Sequence, residues 1–207
     1  MLKGIFIVLE GIDGCGKSLQ SNLLFNFLKE KREAILTHEP TQGEIGSLLS
    51  RKYLKEVDLP LVDAFLFCAD REEHLKTVVI PALEQGKIVI SDRYYHSTLA
   101  YQKAQGLELK WLLELNKFFI KPNLTIILDV EPEVVIERIE KDKNRKIEER
   151  KKFEQIEFLK KVRANFLELP KILKDEKIVV IDGNKEKEKV FEEILKEVEK
   201  NFLISKG

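Results

Sequence analysis

A glycine-rich octapeptide between a predicted strand and a predicted helix constrains the fold of this 207-residue chain more than any other feature. Residues Gly11–Ser18 read G-I-D-G-C-G-K-S and fit the pattern G-x-x-x-x-G-K-[S/T]. The preceding run Ile5–Leu9 is short, apolar and β-branched, which is typical of a strand buried on both faces. After the octapeptide, apolar residues from Leu19 to Leu28 recur on one helical face. Strand, loop and helix therefore stand in the order that such a phosphate-binding loop requires.

The residue types of this loop suit the binding of nucleotide phosphates. Glycines let backbone N–H groups approach a phosphate closely, and the N-terminus of the following helix adds a favourable dipole. We expect Lys17 to reach the phosphoryl group in transfer and the Ser18 hydroxyl to ligate Mg²⁺. The alternative is a chance match in a glycine-rich turn, which the strand, loop and helix in register disfavour.

Short apolar runs alternate with helical patterns along the rest of the chain. This alternation predicts an α/β fold, with a parallel five-stranded sheet and helices on both faces. We find no repeat and no linker rich in Gly, Ser or Pro, so residues 1–207 are predicted to form a single domain. The highly charged stretch 141–152 is a candidate lid on that domain, and its alternative is a solvated helix surface. The four further predicted strands are Ala34–Thr37, Lys87–Ile90, Leu124–Val130 and Lys177–Ile181.

Composition excludes several classes of function. The chain has 36 basic and 36 acidic residues, and this zero balance argues against a global basic field for nucleic acid. No apolar stretch approaches the ~18 to 20 residues of a membrane span, so no membrane partner is expected. The only cysteines, Cys15 and Cys68, make neither a disulfide framework nor a metal-ligand spacing, which favours a reducing, cytoplasmic location.

A second charged motif follows the third predicted strand. Ser91-Asp92-Arg93-Tyr94 falls where an open parallel sheet presents its ligand crevice. Beside a phosphate-binding loop, Asp92 is interpreted as a carboxylate on the magnesium side and Arg93 as a cation for a second phosphate. The alternative is a surface ion pair. The nearest match to a GTPase N-K-x-D element, at residues 184–187, lacks the Asp, so a GTPase is disfavoured.

These motifs together resemble the thymidylate kinase family of P-loop nucleoside-monophosphate kinases, from Ile5 to about Phe202. Phe6–Ser18 is similar to the first strand and P-loop of that family. Asp92–Gln102 is similar to its D-R-[Y/H]-x-x-S-x-x-A-[Y/F]-Q element, which is far more specific than the P-loop. Phe67–Arg71 resembles the family's F-x-x-x-R, and Leu128–Arg138 its L-D-V-x-P-E turn from strand to helix.

The resemblance implies a P-loop NTPase fold with a short helical lid, and transfer of the γ-phosphoryl group of ATP to dTMP. The products are dTDP and ADP, Mg²⁺ is required, and the reaction belongs to dTTP biosynthesis. It also implies a homodimer, with which the nearly all-apolar helix at Leu61–Ala69 is compatible. Three alternatives remain open: a deoxynucleoside kinase, another nucleoside-monophosphate kinase, and a nucleotide-binding regulatory protein without turnover.

The family's roles carry over residue by residue. Asp92 acts on Mg²⁺ with Ser18, Arg93 binds the acceptor phosphate, and Arg138 packs near the adenine. The P-loop residues that hold ATP are Gly11, Ile12, Asp13, Gly14, Cys15, Gly16, Lys17 and Ser18. The residues expected to take part in transfer are Lys17, Asp92, Arg93, Asp13 and Arg150.

The acceptor nucleotide has its own expected set of residues. Phe67 stacks on thymine, Arg71 donates to a thymine carbonyl, and Tyr101 crowds the sugar 2′ position. Asp13 holds the 3′-hydroxyl or lies near the metal. For Phe67 and Arg71 the alternative is ordinary packing in an apolar helix. The full set assigned to the substrate is Glu10, Asp13, Phe67, Arg71, Arg93, Ser97, Tyr101 and Gln102.

The chain also departs from the family pattern. Nothing basic lies between Gly11 and Lys17, so we expect the lid to supply a cation, with Arg150 as first candidate and Arg145 as second. Three positions differ in chemistry or register: His38 where the family commonly has Arg, Arg51 beside the expected phosphate-binding position, and Lys152 where a carboxylate is usual.

Overall fold

Five short strands pair in one fully parallel sheet, as the alternation of strands and helices predicted. The computed structural model describes residues 3–50, 59–143 and 149–202. The strand order across the sheet is β2-β3-β1-β4-β5. The strands are β1 (Ile5–Glu10), β2 (Ala34–His38), β3 (Ile88–Asp92), β4 (Leu124–Asp129) and β5 (Ile178–Asp182).

Helices cover both faces of this sheet. The first and last helices contact each other over one face, and α5 and α8 contact each other over the opposite face. A π-helical turn at Leu75–Val79 joins α3 to α4. In chain order the helices are α1 (Lys17–Lys29), α2 (Glu44–Ser50), α3 (Pro60–His74), α4 (Ile80–Glu84), α5 (Tyr95–Ala104), α6 (Leu109–Asn116), α7 (Pro132–Lys143), α8 (Glu149–Ile172) and α9 (Lys187–Asn201).

The three central strands form the middle of the core. Phe6 to Leu9 of β1 are at most 1% exposed, and Ile88 to Ile90 of β3 are fully buried. A strand covered on both faces gains nothing from alternation of polar and apolar residues, so these strands read as continuous apolar runs. This is why the sequence pattern located the three central strands.

The pairing of β1 with β3 sets the position of the functional groups. Leu9 lies opposite Asp92 in register, and Arg93 N donates to Leu9 O at 2.9 Å. The glycine-rich loop leaves β1 at this point, next to the Asp-Arg pair that leaves β3. Two segments more than 70 residues apart in sequence therefore meet at the carboxyl edge of the sheet, where α/β proteins bind ligands.

Two elements differ from the sequence prediction. The short helix α2 was not predicted, because its seven residues are too few to show a helical period. The candidate lid falls at the junction of two helices: α7 ends at Lys143 and α8 begins at Glu149. Residues 144–148 between them, including Arg145, lie outside the described residues, as does Arg51.

Helix α3 is less buried than its apolar sequence suggested. Leu61, Val62 and Phe65 are 50%, 42% and 53% exposed, and Phe65 packs edge-on against Trp111 at 5.7 Å between ring centroids. An almost entirely apolar helix is expected either to be deeply buried or to pack against a second subunit. Deep burial is therefore wrong for this face, and packing against a second subunit stays a prediction. Across the described ranges, we find no helix with the length and apolarity that a bilayer crossing demands.

Helix α1 offers a matched test of how the core holds the P-loop. Leu24 is fully buried, whereas Leu19 on the same helix is 48% exposed. We predict that Leu24→Ala lowers the free energy of unfolding by about 2–5 kcal/mol, because it opens a cavity under α1. Leu19→Ala should cost well under half of that. Urea unfolding followed by circular dichroism measures both, and equal losses would contradict the packing described.

Candidate active site

The glycine-rich loop wraps tightly between β1 and α1. Gly11 has φ +139°, and a Cβ there would lie 2.6 Å from the Leu128 carbonyl oxygen. Gly16, the N-cap residue of α1, has φ +100°. Both conformations are left-handed, and at Gly11 the space is also lacking, so a side chain is excluded there. The loop thereby leads directly into the N-terminus of α1, where N–H groups favour an anion.

Lys17 lies in the first turn of α1 and folds back over the loop. Its Nζ donates to the carbonyl oxygens of Gly11 and Ile12 at 3.0 and 2.9 Å, and the residue is only 5% exposed. Because these two carbonyls fix the direction of a flexible side chain, the ammonium is held at the wall of the cavity above the loop. A phosphate oxygen placed there would meet a cation already in position.

Ser18 and Asp92 form an oxygen pair that fits Mg²⁺. Ser18 Oγ donates to Asp92 Oδ2 at 2.5 Å, while buried Asp92 Oδ1 has no hydrogen-bond partner among the described residues. A buried carboxylate oxygen without a donor is unusual and suits a cation ligand. The described residues contain no group of three His, Cys, Asp or Glu that could hold a metal alone. Mg²⁺ does not need one, because phosphates and water supply most of its ligands in such sites.

Arg93 stands out through its backbone. Its φ of +76° is in the left-handed region, which non-glycine residues adopt rarely and at a cost. Nη1 donates to Ser97 Oγ at 3.0 Å, Nη2 pairs with Asp13, and the guanidinium lies over the Tyr101 ring at 5.3 Å. This conformation turns Arg93 from the end of β3 back toward the P-loop.

Asp13 is the loop residue that meets Arg93. Desolvation acts to raise the pKa of its carboxyl, but the charges of Arg93 and then Lys17 outweigh that effect and lower the pKa. Its backbone N–H donates to Tyr101 Oη at 2.9 Å. Asp13 therefore stays ionised at neutral pH and ties the loop to α5 as well as to Arg93.

Glu10 at the end of β1 caps a helix and does not face the open crevice. The residue is fully buried; Oε1 accepts from Tyr94 N at 2.8 Å and Ser97 N at 3.1 Å, and Oε2 accepts from Ser97 Oγ at 2.6 Å. Burial raises the pKa of this carboxyl, although His96, Ser97 and Arg93 oppose the rise. The sequence assigned Glu10 to the substrate, whereas the geometry ties its carboxylate to the first turn of α5.

The other residues expected around the acceptor lie on α3 and α5. Phe67 is half-buried on α3, and Gln102 is 3% exposed on α5. Gln102 Nε2 donates to Gln105 Oε1 at 3.0 Å, and buried Gln102 Oε1 has no hydrogen-bond partner within the described residues. Tyr101 packs against Phe158 and Phe166, so its ring has a packing role beside the hydroxyl contact with the loop.

Arg71 is as buried as a core residue. It is 1% exposed and donates to Glu39 Oε2 and Asn116 Oδ1, each at 2.9 Å, and to Thr98 Oγ1 at 3.1 Å. Within the described chain these bonds account for three of the five N–H donors of an arginine. The sequence analysis missed Glu39, Asn116 and Thr98, because nothing along the chain links residues that lie 27 to 45 positions from Arg71.

An 870 Å³ cavity lies over the P-loop. Lys17, Asp92 and Arg93 line it on the side of the sheet, and Arg138 and Lys141 line it from α7. Its remaining wall is residues 183–188, which follow β5 and which the sequence analysis considered only as a failed GTPase element. Their place directly after the fifth predicted strand could have identified them, because the loop leaves the sheet at the same carboxyl edge as the P-loop. Arg138 Nη2 donates to Gly183 O at 3.2 Å and so joins the two walls.

The described part of the lid contains one informative ion pair. Lys152, where the family usually has a carboxylate, places Nζ 2.8 Å from Glu140 Oε2 and so joins α8 to α7. Arg150 lies in the first turn of α8, and the position of its side chain is outside the described part of the structure. Its assignment as the lid cation therefore stays a prediction.

Comparison with known proteins places this geometry in a family. The family model described as "Thymidylate kinase" matches residues 9–194. A protein named probable thymidylate kinase from Pyrococcus horikoshii is 44% identical over 186 residues, which are 86% of this chain and 88% of the relative. A thymidylate kinase from the Aster yellows witches'-broom phytoplasma is 39% identical over 204 residues, which cover 94% and 98% of the two chains.

A solved structure agrees in fold. The crystal structure of thymidylate kinase from Ehrlichia chaffeensis superposes with a TM-score of 0.75 at 29% identity, covering 94% of this chain and 98% of that one. The fold and the resemblance drawn from the sequence motifs are confirmed. With the P-loop, the Asp-Arg pair at the end of β3 and the family match over most of its length, the chain belongs to the thymidylate kinase family.

Proposed function

We propose that this crevice transfers the γ-phosphoryl group of ATP directly to a phosphate oxygen of dTMP and releases dTDP and ADP. The family match supports the overall reaction. The observation that carries the residue assignment is that Lys17, Asp92 and Arg93 line one cavity at the adjoining ends of β1 and β3. Phosphoryl transfer needs alignment and concentrated positive charge far more than covalent chemistry, and this arrangement provides both.

The donor nucleotide occupies the cavity over the P-loop. Loop residues Gly11–Ser18 surround the β- and γ-phosphates, and Lys17 follows the charge that develops on the transferring group. Arg138 lies beside the adenine, next to the loop after β5, to which it donates a hydrogen bond. Ser18 and Asp92 would hold Mg²⁺, which would supply positive charge against the phosphates of ATP.

The acceptor nucleotide lies on the other side of Arg93. Arg93 binds its phosphate, in place of the ion pair that the guanidinium now makes with Asp13. Asp13 and Tyr101 contact the sugar, and Phe67 and Arg71 contact the thymine ring from α3. Ser97 and Gln102 complete this side from α5. The hydrogen bonds of Arg71 to Glu39 and Asn116 fix the orientation of its guanidinium, which donates to a carbonyl of the base.

The burial of Glu10 favours a charged acceptor over a neutral one. A kinase that phosphorylates a nucleoside hydroxyl needs a carboxylate base, and Glu10 was the candidate. Its carboxylate instead accepts three hydrogen bonds from α5 with no exposed surface. A phosphate oxygen of dTMP is anionic at neutral pH and attacks without such a base. The deoxynucleoside kinase alternative is therefore the weaker one.

A homodimer is the proposed assembly. Helix α3 exposes the apolar side chains of Leu61, Val62 and Phe65, and Phe65 packs against Trp111. An exposed apolar surface of this kind is unfavourable in a monomer and is typical of an interface between proteins. The same helix carries Phe67 and Arg71 on other faces, so packing between subunits would also stabilise the base site.

ADP release in the presence of different acceptors tests the proposed activity. We expect rapid ATP turnover with dTMP, slower turnover with dUMP, and little with CMP or thymidine. Turnover with thymidine equal to that with dTMP would instead indicate a nucleoside kinase. ADP release that does not depend on any acceptor would contradict a phosphotransferase.

Lys17→Ala should nearly abolish transfer and leave the fold intact. A neutral methyl group cannot meet the charge on the transferring phosphoryl group, so kcat should fall by at least ~10²-fold. Lys29→Ala, in the last turn of the same helix, is the matched control and should keep near-normal kcat. Steady-state kinetics measures kcat for both variants, and circular dichroism checks that both are folded. Near-normal turnover in Lys17→Ala would contradict the P-loop assignment.

Asp92→Asn should raise the Mg²⁺ requirement. The amide keeps the size of the carboxylate but loses its charge, so the half-saturating Mg²⁺ concentration should increase by about tenfold or more. Titration of activity with Mg²⁺ at fixed ATP measures it, with Asp129→Asn at the end of β4 as control, since Asp129 instead pairs with Arg163. An unchanged Mg²⁺ titration for Asp92→Asn would remove Asp92 from the metal site.

Arg150→Ala tests the lid as the source of a second cation. The contact is expected only in the transition state, so kcat and kcat/KM should fall together by roughly 10²-fold, with little change in ATP affinity. Arg150→Lys should restore part of the rate, because a point charge lacks the bidentate contact. Lys160→Ala, further along α8 and paired with Glu133, is the control. Near-normal kcat in Arg150→Ala would show that Arg150 does not supply the second cation.

A further inference from the structure

One buried histidine has no part in the proposed mechanism. His96, the second residue of α5, is fully buried. Its Nε2 lies 3.0 Å from Glu176 Oε2 and 3.5 Å from Thr125 Oγ1, and the Tyr95 ring stacks on the imidazole at 4.2 Å. A carboxylate can only accept, so Nε2 carries a proton that it donates to Glu176.

The other ring nitrogen faces Glu10. His96 Nδ1 has no hydrogen-bond partner among the described residues and lies 3.9 Å from Glu10 Oε1. That separation is too long for a hydrogen bond but is within range of an ion pair. Glu10 and Glu176 have side chains 0% and 4% exposed, so the imidazole lies between two buried carboxyl groups and is close to both.

Glu10 connects this cluster to Arg93. Its carboxylate caps α5 by accepting from the N–H groups of Tyr94 and Ser97 and from the Ser97 hydroxyl. Ser97 Oγ also accepts from Arg93 Nη1 at 3.0 Å. A continuous series of short-range contacts thus runs from Glu176 through His96, Glu10 and Ser97 to the guanidinium.

We propose that His96 is a positioning residue for the acceptor phosphate, acting through Glu10 and Ser97 on Arg93. The imidazole holds the Glu10 carboxylate at the start of α5, and that carboxylate fixes Ser97, which sets the direction of the Arg93 guanidinium. Arg93 has a left-handed backbone conformation, which persists only when surrounding contacts hold it. The direction of its guanidinium therefore depends on these contacts. This inference rests on the proposed role of Arg93 in binding the phosphate of dTMP.

Equilibrium binding to His96→Gln gives the first test. Titration calorimetry should show the Kd for dTMP raised by about tenfold, within the range of coupling between residues of one hydrogen-bond network. The Kd for ATP should change by less than about twofold, because no contact of the cluster reaches Lys17. Asn123→Ala is the control, since it removes a bond of 2.7 Å to the opposite end of β1 and so perturbs stability alone. Equal weakening of dTMP and ATP in His96→Gln would reduce His96 to a structural residue.

A double-mutant cycle with Arg93→Ala separates this inference from the proposed function. If His96 acts through Arg93, His96→Gln should have almost no effect on dTMP binding once Arg93 is Ala. Full additivity, with Arg93→Ala itself weakening dTMP, would overturn the inference alone. An Arg93→Ala protein that binds dTMP normally would overturn both. Glu176→Gln keeps the shape of the side chain and repeats the cycle if His96→Gln fails to fold, with the same expected and contrary results.

Discussion

The parallel pairing of β1 with β3 is the constraint on which the site depends. It sets Leu9 opposite Asp92 and brings the start of the P-loop beside the Asp-Arg pair. The proposed site needs both segments, since one supplies Lys17 and Ser18 and the other supplies Asp92 and Arg93. Both strands lie in the buried core, so the pairing that stabilises the fold also sets the spacing of the groups proposed for catalysis.

Lys17, Asp92 and Arg93 each already contact a protein group. Lys17 lies on loop carbonyls, Arg93 pairs with Asp13, and Ser18 donates to Asp92. These contacts hold the groups in place, and in the proposed function phosphates and Mg²⁺ take over from them. Preorganisation of this kind reduces the cost of aligning two polyanions for transfer. Two buried titratable residues, Glu10 and His96, lie behind Arg93.

Sequence patterns predicted the parts of the site that are local in the chain. The octapeptide predicted the loop between β1 and α1, and the motif at Asp92 predicted the second half of the crevice. Contacts between distant segments left no such pattern. The capping of α5 by Glu10 spans 84 to 87 residues, so its carboxylate looked from the sequence like a substrate ligand. In the same way, Arg71 read as a base-binding side chain, while its tie to Glu39 became visible only when α3 was packed against the end of β2.

Direct transfer between two nucleotides held at the ends of β1 and β3 is the central claim, and the stereochemical course at phosphorus tests it most directly. ATP made chiral at the γ-phosphorus with oxygen isotopes and sulfur would be used to phosphorylate dTMP, and the configuration of the product determined. A single in-line displacement across the crevice predicts inversion. Retention would require two displacements through a phosphorylated side chain, and would contradict the account.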